Sequence, residues 1–169
     1  MYVSELNQFK INKHMDDSEL YYMRAYYLRG KIISDTIHLE RKMDDYIASY
    51  FCDDSEKKKD LMQSLLSTKR IIFENKRLIF DFVVNKERPD WVKKYPKFKN
   101  SLIKIIEQRN IMAHYLLNTG DEAIKEMENT MDFINFRDNI EVESFDKKRQ
   151  ANLIKLIEIC IYEVNELIG

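Results

Sequence analysis

Apolar residues return every three or four positions along most of the chain with polar residues between them, the pattern of helices that bury one face. Leu20, Met23, Tyr27, Ile33, Ile37, Met43, Ile47 and Tyr50 mark the first and longest such stretch. It starts behind Asp16-Asp17-Ser18-Glu19, where an acidic residue followed three places on by Glu can satisfy the free amides of a helix start. The spacing predicts about 33 residues of helix, near 50 Å if unbroken. Gly30 is its weak point, either a bend or a place where another backbone comes close. Asp53-Asp54-Ser55 then stops this helix and caps a short one through Leu61, Leu65 and Leu66. Ser67-Thr68 restarts the pattern into Ile71, Ile72, Leu78, Ile79, Phe82 and Val83.

Residues 85–95, with Pro89, Asp90 and Trp91, read as a loop. Pro96 sits where a missing amide does least harm and opens a helix from about Lys97 to Asn118. Thr119-Gly120 ends it, with Gly120 able to take the left-handed conformation. Helical spacing then fails. Met131, Phe133, Ile140 and Val142 alternate around Arg137-Asp138-Asn139, which predicts a hairpin between Thr130 and Phe145. A last helix, about Asp146 to Ile168, follows Leu153, Leu156, Ile157, Cys160, Ile161, Val164 and Leu167. The expected fold is all-α: an antiparallel up-down bundle of four to five helices, with a small β-hairpin before the last one. Residues 1–169 form one domain in this reading, and 121–145 are a hairpin insertion.

Composition narrows the function classes. The chain has 169 residues with only three Gly and two Pro, which argues against a β-sandwich and against a Gly-rich nucleotide loop. Cys52 and Cys160 are too few for a disulfide framework and lack the spacing of a zinc site. Met1 to Lys10 has no basic segment followed by an apolar core, and no run of about 18 apolar residues occurs. A reducing cytoplasm and no membrane partner are the expectation. The net charge of -1 hides segments of opposite sign. Residues 1–56 hold 7 Lys/Arg against 11 Asp/Glu, 57–109 hold 15 against 6, and 121–146 hold 2 against 9. The basic middle third is either a polyanion-facing surface or a set of solvated helix faces.

Three histidines bear on chemistry. His14 lies in a polar stretch before the first cap. His38 follows Asp35 by three, half of the motif of a di-metal bundle site, but no second copy of that motif exists. His114 differs because of its neighbours, Arg109-Asn110-Ile111-Met112-Ala113-His114-Tyr115, on the helix after Pro96. Five residues of helix separate side chains by about 140° and 7.5 Å, so Arg109 and His114 flank a stripe. Asn110, four before His114, lies beside it and can orient the ring, and Ala113 keeps the surface thin enough for a second helix. A fixed cation and an imidazole suit RNA cleavage by the ribose 2'-hydroxyl. That reaction needs a base, an acid for the leaving oxygen and a donor for the charge growing on phosphate. It calls for neither metal nor cofactor.

Arg-Asn-x-x-Ala-His on the penultimate long helix resembles the Arg-(four to six residues)-His motif of HEPN domains, found in toxins and phage-defence ribonucleases of prokaryotes. The first helix, Gly30-Lys31-Ile32-Ile33 through Leu39-Glu40-Arg41 to Ile47 and Phe51, is similar to the long opening helix of many small HEPN proteins. A β-like excursion before the last helix also occurs among them. The resemblance covers residues 18–168 in architecture and 109–114 in motif. It implies a homodimer whose two motifs face one cleft and cut RNA without metal to leave a 2',3'-cyclic phosphate. Arg109 would stabilise the phosphorane and His114 would serve as acid or base, with Asn110 in support. In the HEPN toxins paired with nucleotidyltransferase antitoxins, the modified Tyr stands two places after His. Here that place holds Leu116, beside Tyr115.

The expected function is therefore a metal-independent endoribonuclease in a toxin-antitoxin, stress or phage-defence setting, with RNA, a second copy and an antitoxin or other neutralising protein as partners. The alternative is a catalytically silent HEPN-like bundle that binds a protein or a nucleotide. Supporting candidates are Tyr115 and Glu40, a charge in an apolar stretch whose partner would be Arg109, Lys76 or water. Lys93, Lys94, Lys97 and Lys99, on and before the start of the motif helix, are candidates to track RNA phosphates. Tyr21-Tyr22 and Tyr26-Tyr27 recur at helical spacing and read as core or dimer contact rather than a base-stacking platform.

Overall fold

Asp16 caps the first helix reciprocally. Its Oδ1 accepts from the Glu19 amide at 2.8 Å while its own amide donates to Glu19 Oε2 at 3.3 Å. From this cap helix α1 runs unbroken over Asp17–Phe51. This is a computed structural model, describing residues 16–68, 71–136 and 140–168. His14, the Met1 to Lys10 stretch and the hairpin turn Arg137-Asp138-Asn139 lie outside the described residues. Gly30 does not break α1 and admits no close neighbour, since nothing lies within 4 Å of where its Cβ would be.

Asp54 caps α2 (Ser55–Leu61) by accepting from the Glu56 and Lys57 amides, and a π-helical turn, Met62–Leu66, continues it. Helix α3 spans Phe73–Glu87 and α4 spans Pro89–Lys94, so the loop expected over 85–95 is helical instead. Only Arg88 departs from helical backbone between them. Pro89 has no amide to satisfy at a helix start, and Trp91 is buried with its Nε1 donating to the Glu163 carbonyl at 2.9 Å. Helix α5 covers Phe98–His114 and stops four residues short of the expected Asn118. There the chain turns into strand β1, Leu116–Leu117. Gly120 is not left-handed. At φ -66° and ψ 152° it precedes the short helix α6, Asp121–Lys125.

The expected hairpin is present as β2 (Thr130–Asn135) and β3 (Glu141–Asp146), and β1 adds a third antiparallel strand in the order β1-β2-β3. Helix α7, Lys147–Ile168, closes the described chain, with Asp146 Oδ1 accepting from the Arg149 amide at 2.6 Å. The molecule is thus mostly helical with a small antiparallel sheet.

Two compact units divide the chain. The first holds the described residues up to Ile33 together with Asn110–Asn152. Its core includes Tyr21, Ala25, Leu28, Ile32, Met112, Met131, Phe133 and Phe145. Phe133 and Phe145 meet edge to face with centroids 5.5 Å apart. The Arg29 guanidinium lies 4.7 Å from the centroid of the Phe133 ring, and that of Arg149 lies 3.9 Å from Phe145. Such stacks let a cation bury its plane against an aromatic face.

The second unit holds Ser34–Arg109 and the chain from Leu153 onward. Aromatic rings dominate one part of its core, with Trp91 4.9 Å from Phe98 and Phe80 5.7 Å from Phe98. Leu39, Met43, Ile47, Ile105, Ile157, Cys160 and Val164 fill much of the rest. Among the buried residues are Asp44 and Lys76, 2% and 3% exposed. Lys76 Nζ donates to Glu40 Oε1 at 2.5 Å and to Asp44 Oδ2 at 2.7 Å.

Candidate functional site

The last two turns of α5 carry the motif. Arg109 is half-buried, whereas Asn110, Ala113 and His114 are all exposed. Met112, on the other side of the helix, is buried and holds this part of α5 against its own unit. The exposed side of the turn consists of one amide, one methyl group and one imidazole. Arg109 and Asn110 already take part in interactions within the chain. His114 is the final residue of the helix.

Tyr115, the next residue, is held from two sides. Arg29 Nη2 donates to the Tyr115 carbonyl at 2.5 Å, and the Tyr115 hydroxyl accepts from Asn135 Nδ2 at 3.4 Å. The first bond satisfies a carbonyl that a longer helix would have used, and the Leu116 and Leu117 backbone pairs instead with Ile134 and Phe133. These bonds fix the backbone that follows His114. Arg29 is the residue that sequence reasoning missed. Its signal was a basic side chain next to Leu28 on the face where Tyr21, Ala25 and Ile32 are buried. Burial lowers its affinity for the proton below the ordinary arginine value, although the group stays charged.

Glu40 pairs with Lys76, in the buried cluster with Asp44. Burial, opposed by Lys76 and helped by the Glu40 charge, pushes the Asp44 carboxyl up to about 6. Of the four lysines, Lys94 pairs with Glu166 at 3.1 Å and Lys99 with Asp81 at 3.0 Å, while Lys93 and Lys97 are exposed. His38 is exposed, and among the described residues no group of three or more His, Cys, Asp or Glu is placed to hold a metal ion. The tyrosine pairs divide: Tyr21 is fully buried, and Tyr22 and Tyr26 are exposed and stacked on each other at 6.2 Å.

No protein-family model, curated protein or solved structure matches the chain. Among the described residues no helix is long and apolar enough to cross a membrane. The end of α5 carries a guanidinium and, five residues on, an exposed imidazole.

Proposed function

We propose that the chain is a metal-independent endoribonuclease of the HEPN kind, an antiparallel helical bundle that acts as a homodimer in the cytoplasm. The observation that carries this reading is the exposed Asn110, Ala113 and His114 face on the helix that also bears Arg109. Ala113 leaves room for the same helix of a second copy, which would bring two arginines and two histidines to one cleft. There one imidazole takes the proton of a ribose 2'-hydroxyl, and its oxygen attacks the adjacent phosphorus. The 5'-oxygen leaves with a proton from the second, protonated imidazole, and the product strand ends in a 2',3'-cyclic phosphate. Arg109 donates to the non-bridging oxygens as their charge grows. Asn110 orients the imidazole and Tyr115 holds the turn behind it. Toxin-antitoxin, stress and phage-defence systems are the settings where a small ribonuclease with a neutralising protein partner fits.

The test is cleavage of a labelled RNA in excess EDTA. The wild type is expected to release fragments ending in a cyclic phosphate, and Arg109→Ala and His114→Ala are each expected to lower the rate at least about 100-fold, the scale of one lost proton-transfer or oxyanion group. Cleavage that survives in both variants overturns the assignment. A second reading, a silent bundle that binds a partner protein or a nucleotide, draws on the outer face of the sheet. Leu116 and Val142, 61% and 51% exposed, flank Ile134 in one cross-strand row. It is favoured if the wild type never cuts RNA and a Leu116→Lys variant loses a co-purifying protein.

A further inference from the structure

Strand β3 is the outer strand of the sheet, and its free edge can be read from the pairing on its other side. The Asn118 amide donates to the Asp132 carbonyl at 2.8 Å, so the backbone groups of Asp132 turn toward β1. In an antiparallel ladder successive residues turn to opposite neighbours, so Met131, Phe133 and Asn135 turn theirs toward β3, where they meet Phe145, Glu143 and Glu141. The residues in between, Val142 and Ser144, therefore direct their amides and carbonyls away from the sheet. Arg149 Nη1 donates to the Ser144 carbonyl at 2.9 Å and closes that end of the edge. No described residue takes the amide or the carbonyl of Val142. An open strand edge of this kind is a template for another strand.

The side chains around Val142 decide which strand fits. On the outer face Leu116, Ile134 and Val142 form an apolar row, and Phe136 and Ile140, 59% and 77% exposed, continue the alternation of that face toward the turn. The neighbours of Val142 along β3 are Glu141, exposed and ion-paired to no described residue, and Glu143, bridged to Arg149 at 2.8 Å. Residues 121–146 carry nine Asp/Glu against two Lys/Arg. A second copy is a poor occupant. Val142 set against its own counterpart puts Glu141 opposite Glu143, and Val142 set against Ile140 puts Glu141 opposite Glu141, and like charges directly opposite are destabilising. Charge complementarity calls for basic residues instead.

We propose that the β3 edge takes up an extended segment of a partner protein in which apolar residues alternate with Lys or Arg. The segment adds as a fourth strand through the backbone of Val142. Its apolar residue beside Val142 lengthens the Leu116, Ile134 and Val142 row, and its basic residues lie against Glu141 and Glu143. A strand fits rather than a docked helix because the free amide and carbonyl of Val142 need backbone partners, and a helix has already satisfied its own. The proposal rests on the reading of this sheet as a protein-binding face and is independent of RNA cleavage.

A displayed library of random dodecapeptides is selected against the full-length protein, and enriched peptides are synthesised and titrated by fluorescence anisotropy. The expected consensus alternates apolar residues with Lys or Arg. Only every second residue of an added strand donates to β3. N-methylation of that set is therefore expected to weaken binding at least about 10-fold, and N-methylation of the other set to leave it nearly unchanged. Val142→Pro removes the edge amide without touching the ladder to β2, and Glu141→Lys reverses the unpaired charge; each is expected to weaken binding at least about 10-fold. If Val142→Pro fails to fold, Glu141→Lys and the two methylated peptides carry the test. No enrichment over an uncoated surface, an acidic or helically spaced consensus, or equal affinities for the two methylated peptides overturns the proposal. A wild-type dimer that Val142→Pro dissociates and Ala113→Arg does not also overturns it, since the edge then belongs to a second copy. Failure of every peptide while Leu116→Lys still loses a co-purifying protein removes the added strand and keeps the protein-binding face, whereas failure of both removes that reading as well.

Discussion

Asp44 shows how far one side chain can be set by its surroundings. Taken out of water, a carboxylate needs a partner for each oxygen. Asp44 Oδ2 has Lys76, and Oδ1 is buried with no hydrogen-bond partner. Burial thus outweighs the lysine and raises the carboxyl from 3.8 to about 6. A folded-state value above the unfolded one means that the native protein holds this proton more tightly. The stabilisation is complete below about pH 3.8 and is lost as pH rises through about 6. Two pKa units correspond to on the order of 3 kcal/mol. Urea unfolding at pH 4 to 7 is expected to show Asp44→Asn gaining on the wild type as pH rises through this window; parallel curves for the two proteins would refute the assignment. The sequence marked Glu40 as a charge that required a partner but left three candidates open. Choosing among them needed the distance between α1 and α3, and no local pattern carries that distance.

At the scale of elements, legibility followed the range of the forces involved. Caps are local: Asp16 with Glu19, and Asp54 with the amides after it, were readable because every participant lies within three residues. The stripe on α1 was less so. Periodicity places Met23 and Ile37 inward, but both are exposed, and the first half of the helix buries Tyr21, Ala25, Leu28 and Ile32 instead. A helix with apolar residues on two faces leaves the choice to whatever packs against it. The hairpin was visible as alternation, but β1 was not, since two leucines after a helix continue a helical pattern as well as they start a strand. Pairing with Phe133 and Ile134 decides that case. This sheet makes its own test possible. Phe133→Ala removes a fully buried ring beneath Arg29 and is expected to cost about 3 to 5 kcal/mol in chemical denaturation. Phe136→Ala, on an exposed ring, is expected to stay within about 0.5 kcal/mol. Equal effects would mean that the inner face of the sheet is not core.

For the whole molecule the open question is assembly, and Ala113 is the residue on which it turns. A methyl group on an exposed helix face does nothing for a monomer, so Ala113→Arg is expected to shift stability by no more than about 0.5 kcal/mol. In the proposed dimer the same substitution places two charged side chains where the helices approach. Sedimentation is then expected to show a folded monomer without RNA cleavage; a dimer of unchanged affinity would end the composite-cleft idea. The candidate site was legible in part for the reason that caps were: Arg109, Asn110, Ala113 and His114 lie within six residues of one helix, so their mutual placement follows from helix geometry alone. The sequence by itself determined the helical class, the capped helix starts, the alternating hairpin and the relation between Arg109 and His114, because short-range backbone geometry governs each of them. Only the tertiary structure decided which face of α1 turns inward, that Lys76 claims Glu40, that Arg29 holds the turn after His114, and that the rings of Phe80, Trp91 and Phe98, from three helices, pack together. These depend on contacts between residues far apart in the chain, where burial and pairing are settled by competition among all the surfaces that meet.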